Sequence, residues 1–292
     1  MPFRSRSALR RPFVLALAST FTAALVLTGC TASPSTDAAV TGSSATLTSA
    51  IGSVTGGASV TIKGKGLEEV ASVSFGAAVA PVAKSSNDQK VVVKAPAAAN
   101  YQPASVKVTL LDKAGKSIAT AAKPYTYTAT TPVAKQLAYA LTYWKNYNTA
   151  AYGDLNSVGG DCANFVSQTL IARGWKMNDT WYNHDAAGSW SPQWGYVPAM
   201  DDYFAANAKT LGLVRLSSDQ RDKVALGDIG IFDWDGDGDR DHVQVVTAIK
   251  HVDGKIKVEF ASHNDDYDYR DLDNTLTVQH PGGAMHFWHL TK

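Results

Sequence analysis

Apolar and polar positions along the chain change rhythm twice. After a basic start, "MPFRSRSALRR", comes a short apolar run, "FVLALASTFTAALVLTGC", that ends at Cys30. Residues 31–49 show no periodicity and are small and polar. Short runs that alternate apolar and polar follow: "ASVTIKG", "VASVSFG", "QKVVVKAP", "ASVKVTLLD" and "KPYTYTAT", each bounded by Gly, Asn, Asp or Pro. Period-two runs of this length at regular spacing predict the strands of a β-sandwich. From Pro132 the period lengthens. Val133, Leu137, Ala140, Leu141 and Trp144 fall on one helical face, with Thr131 as N-cap and Pro132 at the first helical position. A second helix opens at Cys162, with Phe165, Val166, Thr169 and Leu170 on its inward stripe and Gly174 at its end. Asn164, Ser167 and Gln168 are expected to point elsewhere. Two strands, "HVQVVTAIKHV" and "KIKVEFASHN", are joined by Asp253-Gly254, a dipeptide that favours a two-residue hairpin turn.

Composition sharpens the division. The chain has 292 residues, enough for more than one domain. All seven Trp and all seven His lie beyond Pro132, and none in residues 31–130. A net charge of +1 gives no electrostatic reason to expect a nucleic-acid partner. The basic start and short apolar run describe an export signal rather than a spanning helix. "LTGC" resembles the lipobox of bacterial lipoproteins, in which cleavage falls before the cysteine and its thiol is acylated. The resemblance implies lipidation at Cys30 and attachment to the outer face of the bacterial membrane by lipid alone. The chain holds two cysteines, so a lipidated Cys30 leaves Cys162 unpaired, and an odd thiol in an exported protein calls for a role. The expected organisation is a signal peptide at 1–29, a flexible tether at 30–45, a β-sandwich at 46–130 and an α+β domain at 131–292.

The sandwich also resembles immunoglobulin-like IPT/TIG domains, through "GSVTGGASVTIKGKGL", "VSFG", "VVVKAP" and the closing "YTY". The resemblance implies a spacer or adhesive unit without chemistry of its own.

Chemistry concentrates around "GGDCANFVSQTL", Gly159 to Leu170. Asp161 is a natural N-cap, its carboxylate expected to accept from the first-turn amides. The partial positive charge of a helix start favours a thiolate at Cys162, and the free amides there can serve as an oxyanion hole. A nucleophile also needs a base and a group to orient it. With Val252 opposite Lys255, a regular hairpin register places Gln244 opposite His263 and His242 opposite Asp265. His242, Gln244, His263 and Asp265 then share one sheet face, and Asn264 falls on the other unless a bulge intervenes.

The order of a helix-start Cys, a strand-opening His and a polar residue on the next strand is similar to that of papain-like cysteine hydrolases. "GDCANFVSQ" and "GDIGIFDWDGDGDRDHVQVVT" resemble motifs of the NlpC/P60 and CHAP families. The closest resemblance is to the Putative amidase domain, with "GGDC-N-FVSQ", "DWDGDG--DH" and a later "H-ND". It implies Cys162 as nucleophile, His242 as base and His263 as orienting residue, and a cysteine amidase acting on peptidoglycan or another extracellular peptide or amide. The alternative is a wall-binding or adhesion lipoprotein that kept the hydrolase fold.

Two further stretches leave alternatives open. Asp233, Asp235, Asp237 and Asp239 alternate in "DWDGDGDRD", as hard oxygen ligands do in Ca²⁺ loops, yet Gln244 stands where an EF-hand carries its bidentate Glu. The stretch reads either as a partial Ca²⁺ site or as a solvated turn that raises the pKa of His242. No cofactor is otherwise required. The aromatic insertion "WKMNDTWYNHDAAGSWSPQWGYVP" reads as packing over the sheet, with Trp190 or Trp194 lining a substrate cleft.

Overall fold

The sandwich's alternating runs form strands because their branched residues fill one side and solvate the other. In the computed structural model, which describes residues 45–292, they build three small sheets. Ser59–Lys63 pairs antiparallel with Lys90–Lys94, and Ser72–Phe75 with Val108–Leu111. Val60, Ile62, Val73, Phe75, Val91, Val93 and Leu110 are buried between the layers. "ASVKVTLLD" is not one strand. It switches sheets at Lys107, with Ala104–Val106 on Tyr125–Thr128 and Val108–Leu111 on Ser72–Phe75. The export signal, Cys30 and nearly all of the tether lie outside the described residues. Among the described residues no helix is long and apolar enough to cross a membrane.

The second half is α+β. Helix α1 (Pro132–Tyr143) is capped by the Thr131 hydroxyl, which accepts from the Ala134 amide at 3.2 Å. Helix α2 (Cys162–Arg173) ends at Gly174, which takes a left-handed conformation. Helix α3 (Val197–Leu211) follows the aromatic insertion. A six-stranded antiparallel sheet comprises β1 (Leu213–Ser217), β2 (Ile229–Asp233), β3 (His242–Val252), β4 (Lys255–Ser262), β5 (Tyr267–Asp271) and β6 (Ala284–Leu290), in the order β1-β6-β2-β3-β4-β5. One face carries Ile229, Ile231, Val243, Val245 and Ala261 in the core with α1–α3. The other carries Phe232, Val246, Val258, Phe260 and Phe287 in a separate core beneath Leu272.

Helix α2 is buried all round, Asn164, Ser167 and Gln168 included. The aromatic insertion makes this tolerable by meeting polar atoms with polar atoms. Trp194 Nε1 donates to Asn164 Oδ1 at 2.7 Å, and Trp181 Nε1 donates to Ser167 Oγ at 3.1 Å. From α1, the Tyr139 hydroxyl donates to Gln168 Oε1 at 2.7 Å. Packing is therefore the insertion's main work, as its sequence suggested, but Trp194 is wholly buried and does not line a cleft.

The β3–β4 hairpin starts in the expected register, from Val252↔Lys255 to Ala248↔Glu259. At Thr247 a β-bulge intervenes, and pairing resumes at Val246↔Phe260 and Val245↔Ala261. One inserted residue exchanges the faces of everything beyond it. His242 and Gln244 therefore lie on the face of Phe260, and His263 on the face of Val243 and Val245. The shared face expected for His242 and His263 does not form. Strand β4 also stops at Ser262, and residues 263–266 turn the chain back into β5, with Asn264 and Asp265 at positive φ.

Candidate active site

Cys162 sits where α2 begins, beyond the end of β4. It lies on the floor of a cleft of about 470 Å³ lined by Val158, Gly159, Gly160, Trp190, Tyr196 and Arg240. Arg240 was not foreseen, and it is held by Asp201 at 3.4 Å and Asp202 at 3.2 Å.

Burial pushes the Cys162 thiol up to about 11, although the Val243 and Ala163 backbone amides favour the thiolate. The adjoining Asp161 charge adds to the rise. The helix start alone does not ionise this thiol.

The helix start is capped from a distance. Asn264 Oδ1 accepts from the Asp161 amide at 2.5 Å and from the Cys162 amide at 3.1 Å. Gly160 lets that side chain approach: its φ is +128°, and a Cβ there would stand 3.0 Å from Asn264 Oδ1. Asn264 Nδ2 donates to Asn156 Oδ1. Two expectations change. The Cys162 amide is engaged rather than free as an oxyanion donor, and the Asp161 side chain does not cap the helix.

Asp161 is instead the hub beneath the thiol. Its Oδ1 accepts from the Leu155 amide and from Asn164 Nδ2, both at 2.8 Å, and its Oδ2 meets His263 Nδ1. His263 Nε2 points at the Tyr143 carbonyl, 2.8 Å away. The ring lies between Tyr147, stacked at 3.5 Å, and Phe165 at 4.2 Å. Asp161 and His263 are thus brought together one residue from Cys162. Among the described residues, no hydrogen bond joins the sulfur to a histidine.

His242 stands elsewhere. It stacks on Trp234 at 5.2 Å, on the face away from α2, and its Nε2 has no protein partner. Burial, followed by the charges of Arg270 and His280, lowers its pKa to about 3. This reverses the expectation that the aspartate loop would favour an imidazolium. Because the folded value lies below the ordinary value near 6.5, the unfolded chain takes up a proton that the folded chain refuses. The stability tied to a neutral His242 is fully present above pH 6.5 and is lost as pH falls towards 3. Urea titrations are expected to show this loss, amounting to a few kcal/mol, since each tenfold drop in proton affinity corresponds to about 1.4 kcal/mol. The loss should be much reduced in His242→Gln.

In the acidic loop, Asp233, Asp235 and Asp237 bring carboxylate oxygens within 4.8 Å of one another. Both oxygens of Asp233 accept loop amides, from Gly236 at 2.7 Å and Gly238 at 2.9 Å. The first three aspartates could hold a hard cation. Asp239 stands outside the group, with Oδ1 on the Arg240 amide at 2.9 Å.

Residues 131–288 match the model of the family described as "Putative amidase domain". The chain belongs to that family. Residues 44–127 match the IPT/TIG domain, an immunoglobulin-like all-β sandwich. A curated relative of this amidase-family chain is "Uncharacterized protein YhbB" of Bacillus subtilis (strain 168). It is 29% identical over 116 residues, covering 38% of this chain and 35% of that protein. The match thus spans about a third of the relative's own length. The family description points to amide hydrolysis as the activity of the second half.

Proposed function

We propose that the chain hydrolyses an amide bond in an extracellular peptide, through a thioester on Cys162. The observation that carries this reading is the position of the thiol, at a helix start on the floor of an open cleft, in a domain of an amidase family. The Cys162 sulfur gives up its proton and attacks the carbonyl carbon. The amine leaves with a proton, and water then cleaves the thioester to release the acid and restore the thiol.

A thiol at about 11 requires a base at neutral pH. We assign that role to His263, because a base needs an orienting partner and Asp161 supplies one. To act, the ring must leave the Tyr143 carbonyl and present Nε2 without its proton to the thiol, because a nitrogen facing a carbonyl oxygen donates. The papain-like resemblance supports a second reading, with His242 as base and His263 as orienter. That reading requires the His242 ring to cross from the opposite sheet face.

Peptidoglycan peptide is the proposed substrate: the basic start, short apolar run and "LTGC", read as an export signal and lipobox, support a location beside this abundant amide polymer. The deciding experiment is mass spectrometry of purified peptidoglycan incubated with the mature chain, and with its His242→Ala and His263→Ala variants. New fragments with the intact chain establish the hydrolase and name the bond. Loss with His263→Ala but not His242→Ala supports the assignment of the base, and the reverse result overturns it. An unchanged digest with the intact chain rejects this substrate and favours a wall-binding lipoprotein.

A further inference from the structure

The sequence presents the sandwich as a spacer, but it touches the second half at the place that sets the sheet register. Residues 45–292 lie within one compact unit, and a continuous apolar core runs from the sandwich into the helices. At the junction, a turn at Asn100–Gln102 reaches three elements. The Tyr101 hydroxyl donates to the Thr247 carbonyl at 2.7 Å. Gln102 Nε2 donates to the Ala138 carbonyl of α1 at 3.0 Å, and the Tyr269 hydroxyl of β5 lies 3.4 Å from Asn100 Oδ1. Asn100 and Tyr101 hold positive φ, 47° and 51°; asparagine tolerates this conformation, but a tyrosine keeps it only where the surroundings enforce it.

Thr247 is the bulge residue. A bulge leaves one residue of its strand outside the ladder, and a buried carbonyl without a donor is costly. Here the carbonyl has the buried Tyr101 hydroxyl as donor, from 146 residues away in sequence. The Thr247 hydroxyl, in turn, donates to the Asp268 carbonyl of β5 at 2.7 Å. The competing arrangement is the regular hairpin that Asp253-Gly254 begins. It would turn His263 away from Asp161 and Phe165.

We propose that the sandwich is a register clamp: Tyr101 fixes the bulge at Thr247 and thereby keeps His263 on the Cys162 side of the sheet. Tyr101 is then a positioning residue, acting through Thr247 and His263 without touching substrate. Only the activity part of its test rests on the proposed amide hydrolysis.

The test is amide hydrogen exchange on the full mature chain, with Tyr101→Phe beside Gln102→Ala. Tyr101→Phe removes one hydroxyl and keeps the ring. It is expected to speed exchange selectively at Val245–Ala248 and Glu259–His263, by about fivefold for one lost hydrogen bond. The amides of Ile62 and Val91 should hold their rates. Gln102→Ala, which breaks contacts to α1 and to the Asn100 carbonyl but keeps the Tyr101 hydroxyl, should leave the bulge amides unchanged. The Nδ1 proton of His263, expected as a resolved downfield NMR signal in the parent, should broaden in Tyr101→Phe. If the chain is an amidase, kcat should fall with KM unchanged. Uniformly faster exchange in Tyr101→Phe, or none, overturns the clamp whatever the activity assay gives.

Discussion

Cys162→Ala is expected to lower amide hydrolysis by at least about 10³-fold in kcat/KM while the protein stays folded. The argument is chemical. Alanine has no atom to form the thioester, and Cys162 is the free thiol on the cleft floor. Burial and the neighbouring Asp161 charge keep that thiol protonated at neutral pH. Its alkylation should therefore be slow at pH 7 and accelerate towards pH 11, with all labelling of the described region lost in the variant. The side chain removed is small, so the urea midpoint should move little. Equal turnover by parent and variant would remove Cys162 from the reaction.

Asp161→Ala should be the most destabilising single change at the site. The carboxylate is fully buried and is bonded to the Leu155 amide, Asn164 and His263. Removing it leaves three buried donors, one of them the His263 ring nitrogen, without their acceptor. Each orphaned buried donor costs about 1–3 kcal/mol, so the three together should cost several. At about 2–4 °C per kcal/mol for a chain of this size, the melting temperature should fall by roughly 10 °C. Asp161→Asn keeps the shape and one acceptor oxygen, and should lose less. A calorimetric shift below about 2 °C for Asp161→Ala would show that the hub does not support the helix start.

Linking the two expectations is the turn at residues 263–266, which delivers His263 to Asp161 and Asn264 to the first amides of α2. Activity and stability should therefore fail together in Asp161→Ala, and separately in Cys162→Ala.

The chain's own chemistry determined the parts that rest on neighbouring residues. Alternating runs made sandwich strands, and Thr131 with Pro132 started α1. Gly174 ended α2, which placed Cys162 at a helix start. Asp253-Gly254 fixed the first pairs of the hairpin. Each follows from periodicity or turn chemistry over a few residues, and local sequence carries that information. The tertiary structure decided what depends on partners far away. Thr247 bulges where Tyr101 meets its carbonyl, and the alternation that correctly ordered each strand then assigned His242 and His263 to the wrong relative faces. Asp161 turned from cap to hub because Asn264 took the cap, and Trp194 went inward because Asn164 needed a donor. Buried polar groups must find partners, and a linear reading of the chain does not show which distant residue will satisfy them.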